Sequence, residues 1–370
     1  MKKNFFITLL LLITLFSSCE NGEWDFPDYE YQVVYFAYQY PVRTITLGED
    51  IFDTTLDNEG KCMIMATLGG LYENEQNVTV DFQVDNSMVD GFVFEGSGEP
   101  VLALPSTHYT LADNRITIPN GEISGGVEVQ LTDAFFADPK SIGRNYVIPI
   151  RMTNATVVDS ILSGVPQVAN PRRGVSTDWA TQPKDFIFYA VKYINTWEGF
   201  YLRRGEDAIT GSVENANFNR NEVRREQYVK DDEVVFINTL SLNRITYPIS
   251  YQSSLGNNLD YKVNLNFEEN NNFTISPVTA YQVNDSISVY DISASGAGEF
   301  VKDGEENSWG SQDRDALYMD YQTSFKVRTS FPNTTPARAD ILEEYTYVTK
   351  DTLVMRNRGV TIETFTPIAE

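Results

Sequence analysis

Apolar and polar side chains alternate through most of the chain, in short runs separated by turn-forming residues. In the clearest run, Val78, Val80, Phe82 and Val84 fall on one face with a period of two. Other runs rich in Val, Ile, Thr, Tyr and Phe are broken by Asn, Gly, Asp and Pro, a pattern that indicates strands joined by turns. No segment carries a long helical period, although 134–142 fits a short helical turn. The pattern therefore predicts an all-β fold.

A change of composition at 160–184 divides the chain into two parts. Pro171 and Pro183 help to interrupt regular structure there, so we predict a linker. The closely spaced short strands of 31–159 are typical of an antiparallel sandwich of immunoglobulin-like type. The sequential strands of 185–370, with their polar hairpin loops, fit an up-and-down β-barrel whose closure removes exposed edges. The strands expected in this second part are 186–193, 199–203, 226–230, 234–240, 245–251, 261–267, 273–277, 287–295, 317–328 and 345–355.

The first nineteen residues carry a targeting pattern. Two lysines precede an almost unbroken apolar run from Phe5 to Phe16, and small residues then lead to Cys19. Because this run is too short for a hydrocarbon core of about 30 Å, it reads as a signal peptide at 1–18. The small residues before Cys19 resemble the bacterial lipobox, although Phe16 stands where that motif usually has Leu. We expect lipidation at Cys19 and a lipidated tether at 19–30, with ordinary secretion as the alternative.

Charge and cysteine content limit the classes of partner. The chain has 28 basic and 52 acidic residues, a net charge of −24, which repels phosphate backbones and argues against nucleic-acid binding. Neutral glycans, peptides and basic proteins stay open, and so does a role in solubility alone. Once Cys19 carries lipid, no intramolecular disulfide can form, because Cys62 is the only other cysteine. We expect Cys62 to be a buried apolar residue.

Seven segments carry a resemblance to known domains. They are VYFA at 34–37, RTITLG at 43–48, GGVEVQLT at 125–132, YVIPI at 146–150, YINTWEGFYLRRG at 193–205, NSWG at 307–310 and DRDALY at 313–318. Through them the first part resembles the N-terminal domain of Bacteroidetes surface lipoproteins, a domain also found ahead of family-18 endoglycosidases, and the second part resembles a calycin-like domain. Acidic residues at 20–25 resemble the surface-export signal of these lipoproteins.

The resemblance implies a cell-surface accessory lipoprotein of a polysaccharide-utilisation system. Such a protein is anchored by lipid to the outer membrane and faces the cell exterior. It binds a neutral oligo- or polysaccharide beside an outer-membrane glycan importer, without catalysis or a cofactor. The alternative is a structural or interaction lipoprotein, which docks on the transporter complex or acts as an adhesin. Three-residue motifs resembling the Bacteroidetes O-glycosylation signal place modification at Thr54, Ser160, Ser286 and Thr352.

Few residues offer catalytic or metal chemistry. His108 is the only histidine, so any Ser-His-Asp triad or multi-His metal site would have to include it. The acidic loop at 303–315 does not follow EF-hand spacing. We therefore expect no metal site and no enzyme. Glycosidase chemistry needs only two facing carboxylates, so a catalytic pair stays open at this point.

Aromatic side chains are the strongest candidates for sugar contacts, because flat rings suit sugar C–H groups. Trp309 is the best candidate, since it lies in a polar loop with no obvious core to join. Tyr201, Tyr251 and Tyr318 are weaker candidates. The other tryptophans have structural interpretations: Trp197 packs the barrel floor, Trp179 packs the domain interface and Trp24 lies on the tether.

Overall fold

The computed structural model describes residues 30–278, 281–331, 336 and 338–370. The all-β prediction is confirmed. The described residues include two short helices, α1 (Thr55–Asn58) and α2 (Asp133–Ala137), and five 3-10 turns, Asn86–Val89, Pro139–Ile142, Ser176–Asp178, Val229–Asp231 and Trp309–Ser311. Nowhere in these ranges is a helix long and apolar enough to cross a membrane.

The strands of the described residues are numbered in chain order. They are β1 (Val33–Tyr35), β2 (Pro41–Thr46), β3 (Lys61–Gly69), β4 (Val78–Val84), β5 (Phe92–Phe94), β6 (Leu102–Ala103), β7 (Tyr109–Leu111), β8 (Arg115–Ile118), β9 (Ser124–Leu131), β10 (Tyr146–Ala155), β11 (Ser160–Ile161), β12 (Val165–Pro166), β13 (Trp179–Thr181), β14 (Phe186–Ile194), β15 (Gly199–Val213), β16 (Ala216–Arg224), β17 (Glu233–Ser241), β18 (Arg244–Gln252), β19 (Asn258–Phe267), β20 (Asn272–Pro277), β21 (Tyr281–Asn284), β22 (Ile287–Glu305), β23 (Arg314–Thr329), β24 (Ile341–Asn357), β25 (Glu363–Thr364) and β26 (Pro367–Ala369).

Two sheets form the N-terminal domain. One has the order β11-β1-β3-β9-β7, and the other has the order β25-β2-β14-β10-β4-β8 with β6 beside β10. Strand β4 shows why they pack together, because its alternate residues Val78, Val80 and Phe82 are buried in the core between the sheets. Cys62 is buried in the same core, and burial raises the pKa of its thiol to about 11. The period-two pattern therefore marks the inner faces correctly.

Strand β14 lies in the centre of the seven-stranded sheet of the N-terminal domain. The sequence pattern predicts instead that the barrel begins at 185, so the structure moves this domain boundary. Strand β14 pairs antiparallel with β10 and parallel with β2. Both of its faces are covered: Ile187 and Tyr189 enter the core between the sheets, whereas Phe186 and Phe188 enter a second core on the outer face. A run this uniformly apolar has no alternation that would assign it to one domain. The segment predicted as a linker, 160–184, likewise belongs to the N-terminal domain, where β11 pairs with β1.

The C-terminal part is one sheet closed on itself. Its order is β15-β17-β18-β19-β20-β22-β23-β24, and β24 pairs back with β15 from Phe200↔Asn357 to Val213↔Glu343. Strand β16 lies beside the second half of β15, and β21 lies beside β22. The predicted strand at 226–230 is wrong, because Val229–Asp231 is a 3-10 turn. Strand β16 takes its place, and it was missed because its residues are mostly polar and exposed.

Charged side chains are buried inside this barrel. Arg203 and Asp351 are 1% and 3% exposed, and Arg203 Nη2 lies 3.1 Å from Asp351 Oδ2. Arg224 reaches in from β16, where its Nη2 lies 2.6 Å from Asp351 Oδ1 and its Nη1 pairs with Asp207. Gly205 of β15 lies between Arg224 and Asp351 and leaves room for their contact, because a Cβ at this position would lie 2.2 Å from Asp351 Oδ1. Buried charges of this kind require pairing and hydrogen bonds.

The chain returns to the N-terminal domain after the barrel. Strand β25 pairs with β2, and β26 pairs with β5. Between them, Phe365 is buried and lies edge-on to Tyr40 and Phe94, at ring-centroid distances of 5.6 and 5.0 Å. The barrel is therefore inserted between two strands of the N-terminal domain and is tied to it at both ends.

Candidate functional site

A cleft of about 540 Å³ lies where the N-terminal domain meets the barrel. Its walls come from the loop after β2, from the end of β22, from the residues around the start of β23, and from the end of β24 with the segment that follows it. The lining residues are Glu49, Asp50, Ile51, Phe52, Asp303, Asp313, Arg314, Asp315 and the segment 355–361. Its volume falls in the range of ligand pockets, roughly 300–1,000 Å³.

A buried arginine fixes the two sides of the cleft relative to each other. Arg358 is 6% exposed, and its guanidinium donates to the carbonyl oxygens of Glu198 at 2.6 Å and of Leu47 and Glu49 at 3.1 Å. Burial lowers the pKa of Arg358 from its ordinary value. Because these carbonyls belong to both domains, one side chain holds the cleft walls in place.

Trp309 does not line this cleft but lies against two of its lining residues. The indole Nε1 donates to the carbonyl oxygen of Met355 at 3.2 Å, and the Arg314 guanidinium lies 3.7 Å from the centre of its ring. Gly310 adopts a φ of +73°, which lets the chain turn immediately after the tryptophan. The Arg314 guanidinium covers part of the indole ring. Trp309 is only half-buried, so another part of its side chain stays open to solvent.

Carboxylates line the barrel side of the cleft and hold the loops that carry them. The carboxylate of Asp315 accepts from the Asp303 N–H at 2.9 Å, and Asp313 accepts from the Asn307 N–H at 2.7 Å. Burial is the main cause that raises the pKa of Asp315 above its ordinary value. The lining thus presents oxygen acceptors in a fixed arrangement.

Exposed apolar side chains complete the cleft. Ile51 is fully exposed and Phe52 is 39% exposed, in a loop between the acidic residues Asp50 and Asp53. Rings and aliphatic groups beside carboxylates and guanidinium groups suit a ligand that carries both C–H faces and hydroxyl groups. Within the described ranges, no group of three or more His, Cys, Asp or Glu side chains is arranged to hold a metal ion.

Two of the predicted ligand residues are buried and do not reach this cleft. Tyr201 is 0% exposed and donates its hydroxyl to the carbonyl oxygen of Trp197 at 2.9 Å. Tyr251 is 6% exposed, and its ring stacks on that of Tyr347 with centroids 3.7 Å apart. Both occupy inward positions of a closed sheet, so the structure contradicts a ligand contact at either position. Strand alternation locates such residues on a face but does not say which face is inside.

Tyr318 lies on the outer face of the barrel, in a separate groove of about 690 Å³. Its hydroxyl donates to Glu305 Oε1 at 2.8 Å, and burial raises its pKa to about 12.

Trp197 stacks on Phe267 at 3.6 Å inside the barrel, which confirms its predicted core role. Trp179 is buried within the N-terminal domain, where its Nε1 donates to the Arg172 carbonyl at 2.9 Å.

The predicted modification residues differ in accessibility. Thr54 is 7% exposed and donates its hydroxyl to the Gly48 carbonyl at 2.7 Å, so the structure argues against its modification in the folded protein. Ser160, Ser286 and Thr352 are half-buried. The predicted lipidation residue Cys19 lies outside the described residues, as does Trp24.

His108 is held in local structure. Its Nε2 lies 3.1 Å from Asp138 Oδ2, and the Tyr146 hydroxyl donates to the same oxygen at 2.7 Å. Asp138 also accepts from the Lys140 N–H at the start of a 3-10 turn. The single histidine thus supports the loop in which it lies.

Sequence reasoning missed most of the cleft. Ile51 and Phe52 carried one usable signal, because two adjacent apolar residues between acids fit neither a strand nor a helix period. Arg314 and the segment 355–361 carried none, since the pairing of β23 with β24 brings them together and only the domain arrangement places them against the loop at Ile51. Trp309 is the predicted candidate that contacts lining residues of the cleft, Met355 and Arg314, and its role in binding stays a prediction.

The fold and the cleft define a two-domain all-β protein with a ligand-sized cleft at the domain junction. A model of a domain of unknown function, DUF5627, matches residues 196–359, and a model of an N-terminal domain matches residues 29–159. These two ranges agree with the barrel and with most of the N-terminal domain. Comparison with curated proteins gives no match.

One solved structure shows the family. A Bacteroides ovatus protein of unknown function is 41% identical, with a TM-score of 0.78, and the match covers 93% of this chain and 100% of that chain. The chain therefore belongs to the same family as the Bacteroides ovatus protein.

More distant structures are also similar. A multidomain protein including DUF1735 from Bacteroides ovatus is 11% identical, with a TM-score of 0.39 and coverage of 90% of this chain and 100% of that chain. An auxiliary nutrient binding protein from Bacteroides thetaiotaomicron is 12% identical, with a TM-score of 0.36 and coverage of 87% and 95%. Similarity at this level supports no statement about the function of this chain.

Proposed function

We propose that the protein binds a neutral oligosaccharide in the cleft at the domain junction, without hydrolysing it. In this proposal it is an accessory lipoprotein of a polysaccharide-utilisation system, anchored to the outer membrane and facing the cell exterior. Its N-terminal domain is immunoglobulin-like and its barrel calycin-like. The anchor and the location rest on the targeting pattern that ends at Cys19 and on the family resemblance.

One observation carries the binding proposal. The cleft combines the exposed Phe52 with carboxylate and guanidinium groups around a volume of about 540 Å³, and the half-buried ring of Trp309 lies beside it, against the lining residues Met355 and Arg314. Sugars present C–H faces to rings and hydroxyl groups to charged acceptors and donors, so each part of the lining has a counterpart on such a ligand. An open cleft with few contacts supports modest affinity, with a Kd on the order of 1 to 100 μM.

Replacing Trp309 by Ala should weaken oligosaccharide binding. We expect a loss of about 1 kcal/mol, roughly fivefold in Kd, because one stacking surface is removed. A glycan-array screen of the chain from Trp24 onward identifies the ligand, and titration calorimetry then measures the change. Phe52→Ala should weaken binding as well, and it avoids the loss of the Trp309 contacts with Met355 and Arg314.

Tyr72→Ala is the matched control, since Tyr72 is 64% exposed and lies outside the cleft. Equal binding by wild type and both cleft variants would place the ligand elsewhere. Failure of host and dietary glycans to bind at millimolar concentration, together with co-purification with an outer-membrane transporter, would favour the interaction-protein alternative.

Replacing Cys19 by Ala should release the protein from the membrane fraction. The acyl chains attached at this position are the proposed anchor, and stable anchoring requires more than one chain. Fractionation of the native host followed by immunoblotting measures the distribution. Retention of the variant in the outer membrane would refute the lipid anchor.

A further inference from the structure

Glu343 differs from the other buried carboxylates of the described residues. Six acidic side chains there are more than nine-tenths buried, and five of them pair with an arginine. The five pairs are Asp57 with Arg43, Asp185 with Arg173, Asp207 with Arg224, Asp232 with Arg204 and Asp351 with Arg203.

Glu343 is 1% exposed and has no Lys, Arg or His nitrogen within 4.0 Å in the described part of the chain. Its Oε1 accepts from the Ser254 N–H at 2.9 Å, from the Ser254 hydroxyl at 2.6 Å and from the Tyr345 hydroxyl at 2.7 Å. Its Oε2 is buried and has no hydrogen-bond partner. On strand β16, which is separated from β24 by β15, Arg220 is paired with Glu222 at 2.7 Å.

Aromatic rings lie beside this carboxylate. Tyr345 stacks on Phe325 at a centroid distance of 5.4 Å, and Phe218 lies 5.6 Å from Tyr345. Aromatic faces together with a carboxylate favour an organic cation, because the ring quadrupole and the charge both attract it. A buried carboxylate without a counter-charge is otherwise costly.

A pocket of about 570 Å³ lies at the same end of the barrel. The hairpin tip that holds Glu343 contributes to its wall, and Thr329 lines it with a buried hydroxyl that has no hydrogen-bond partner. Thr329 pairs with Ile341 and Val327 pairs with Glu343 in the β23–β24 ladder. Thr329 and Glu343 are therefore diagonal neighbours on the inward face, with Cα atoms about 7–8 Å apart.

The charge of this pocket also favours a cation. Its described lining contains one carboxylate, Asp285, and no basic side chain, with the rest supplied by amides, hydroxyls and apolar groups. The nearby guanidinium of Arg338 lies over the ring of Phe331 at 4.0 Å.

We propose that this pocket and Glu343 form a second binding site, which takes a small polar ligand carrying a protonated amine. The ligand's ammonium group supplies the counter-charge that no described side chain within 4.0 Å supplies to Glu343. Glu343 does not itself line the pocket, so the proposal requires the exposed hairpin tip at Ser254 to yield as the ammonium group enters. This site is distinct from the cleft at Trp309 and does not depend on the function proposed there.

Glucosamine at pH 6, where its amine is protonated, is the probe, and N-acetylglucosamine is its uncharged counterpart. We expect the full soluble chain to bind glucosamine with a Kd on the order of 1 mM and N-acetylglucosamine at least about tenfold more weakly. Glu343→Gln should weaken glucosamine binding at least about tenfold, because it removes the charge and keeps the shape. Thr329→Val should weaken it less and serves as a second variant.

Stability without ligand gives an independent readout. Glu343→Gln should leave the Tm unchanged or raise it, since it removes an uncompensated buried charge. Asp185→Asn, the matched control, should lower the Tm, since it leaves Arg173 without its partner. Equal affinity for the two sugars, glucosamine binding unaffected by Glu343→Gln, or a Tm loss as large as that of Asp185→Asn would each overturn the proposal. Neutral oligosaccharide tests the cleft and glucosamine tests Glu343, so either proposal can fail without the other.

Discussion

Replacing Asp351 by Asn is expected to destabilise the barrel by about 3–5 kcal/mol, the cost of breaking a buried ion pair by removing one partner. Asp351 neutralises the fully buried Arg203 and also binds Arg224. Its Oδ2 accepts from the hydroxyls of Tyr247 at 3.0 Å and Tyr321 at 2.8 Å. The variant leaves the guanidinium of Arg203 inside the barrel without full compensation. Urea unfolding of wild type and variant at pH 7 measures the loss.

Asp320→Asn is the control for this prediction, because Asp320 lies on the neighbouring strand with its side chain exposed. We expect it to change stability by less than about 0.5 kcal/mol. If Asp351→Asn lost no more stability than Asp320→Asn, the buried ion pairs would contribute little to the stability of the barrel.

The destabilisation should depend on pH in a defined direction. Burial by itself raises the pKa of Asp351, but the guanidinium groups of Arg203 and Arg224 outweigh it and hold the pKa below its ordinary value of 3.8. A carboxyl whose pKa is lower in the folded state contributes stability above its unfolded pKa, and that contribution is lost as the pH falls through the folded pKa. The difference between wild type and Asp351→Asn should thus be constant from pH 7 to about 5 and shrink below about pH 4.

Replacing Phe365 by Ala is expected to lower the stability of the N-terminal domain by about 3–5 kcal/mol, the usual cost of truncating a buried phenylalanine. Phe365 lies far from that domain in sequence but packs against Tyr40 and Phe94. Hydrogen exchange should accelerate in β5 and β2, whereas the barrel strands should keep their protection. This result would establish that the end of the chain belongs to the first domain.

Ile362→Ala is the control in the same segment, because Ile362 is fully exposed. It should leave hydrogen exchange and the denaturation midpoint unchanged. If Phe365→Ala behaved like Ile362→Ala, the C-terminal strands would not be part of the N-terminal core.

Local patterns predicted most strands but not the membership of each strand in a domain. The alternation in β4 sufficed, because one face of that strand is buried and the other is not. The apolar run of β14 was assigned to the barrel, since a strand covered on both faces shows no alternation. Strand β16 was missed for the opposite reason, because a polar edge strand is held by backbone hydrogen bonds to β15 rather than by apolar burial.

Of the residues in or beside the cleft, the sequence identified one candidate for ligand binding. Trp309 stood out as an aromatic residue in a polar loop, and that local contrast was sufficient. Tyr201 and Tyr251 were wrong as ligand residues, because the sequence does not show which positions face the closed interior of the barrel. Glu343 has the sequence context of an ordinary residue in an alternating strand, and only the absence of a paired basic side chain among the described residues sets it apart.

By itself, the sequence determined the strand content, the inner faces of the alternating strands and the targeting pattern, because these depend on composition and on spacing along the chain. The tertiary structure decided the rest. It inserted the barrel between β14 and β25, brought the loop at Ile51 against the segment at Arg358, and left one buried carboxylate without a basic partner among the described residues. Each of these depends on contacts between residues distant in sequence, whose energies arise only when the chain is closed into the fold.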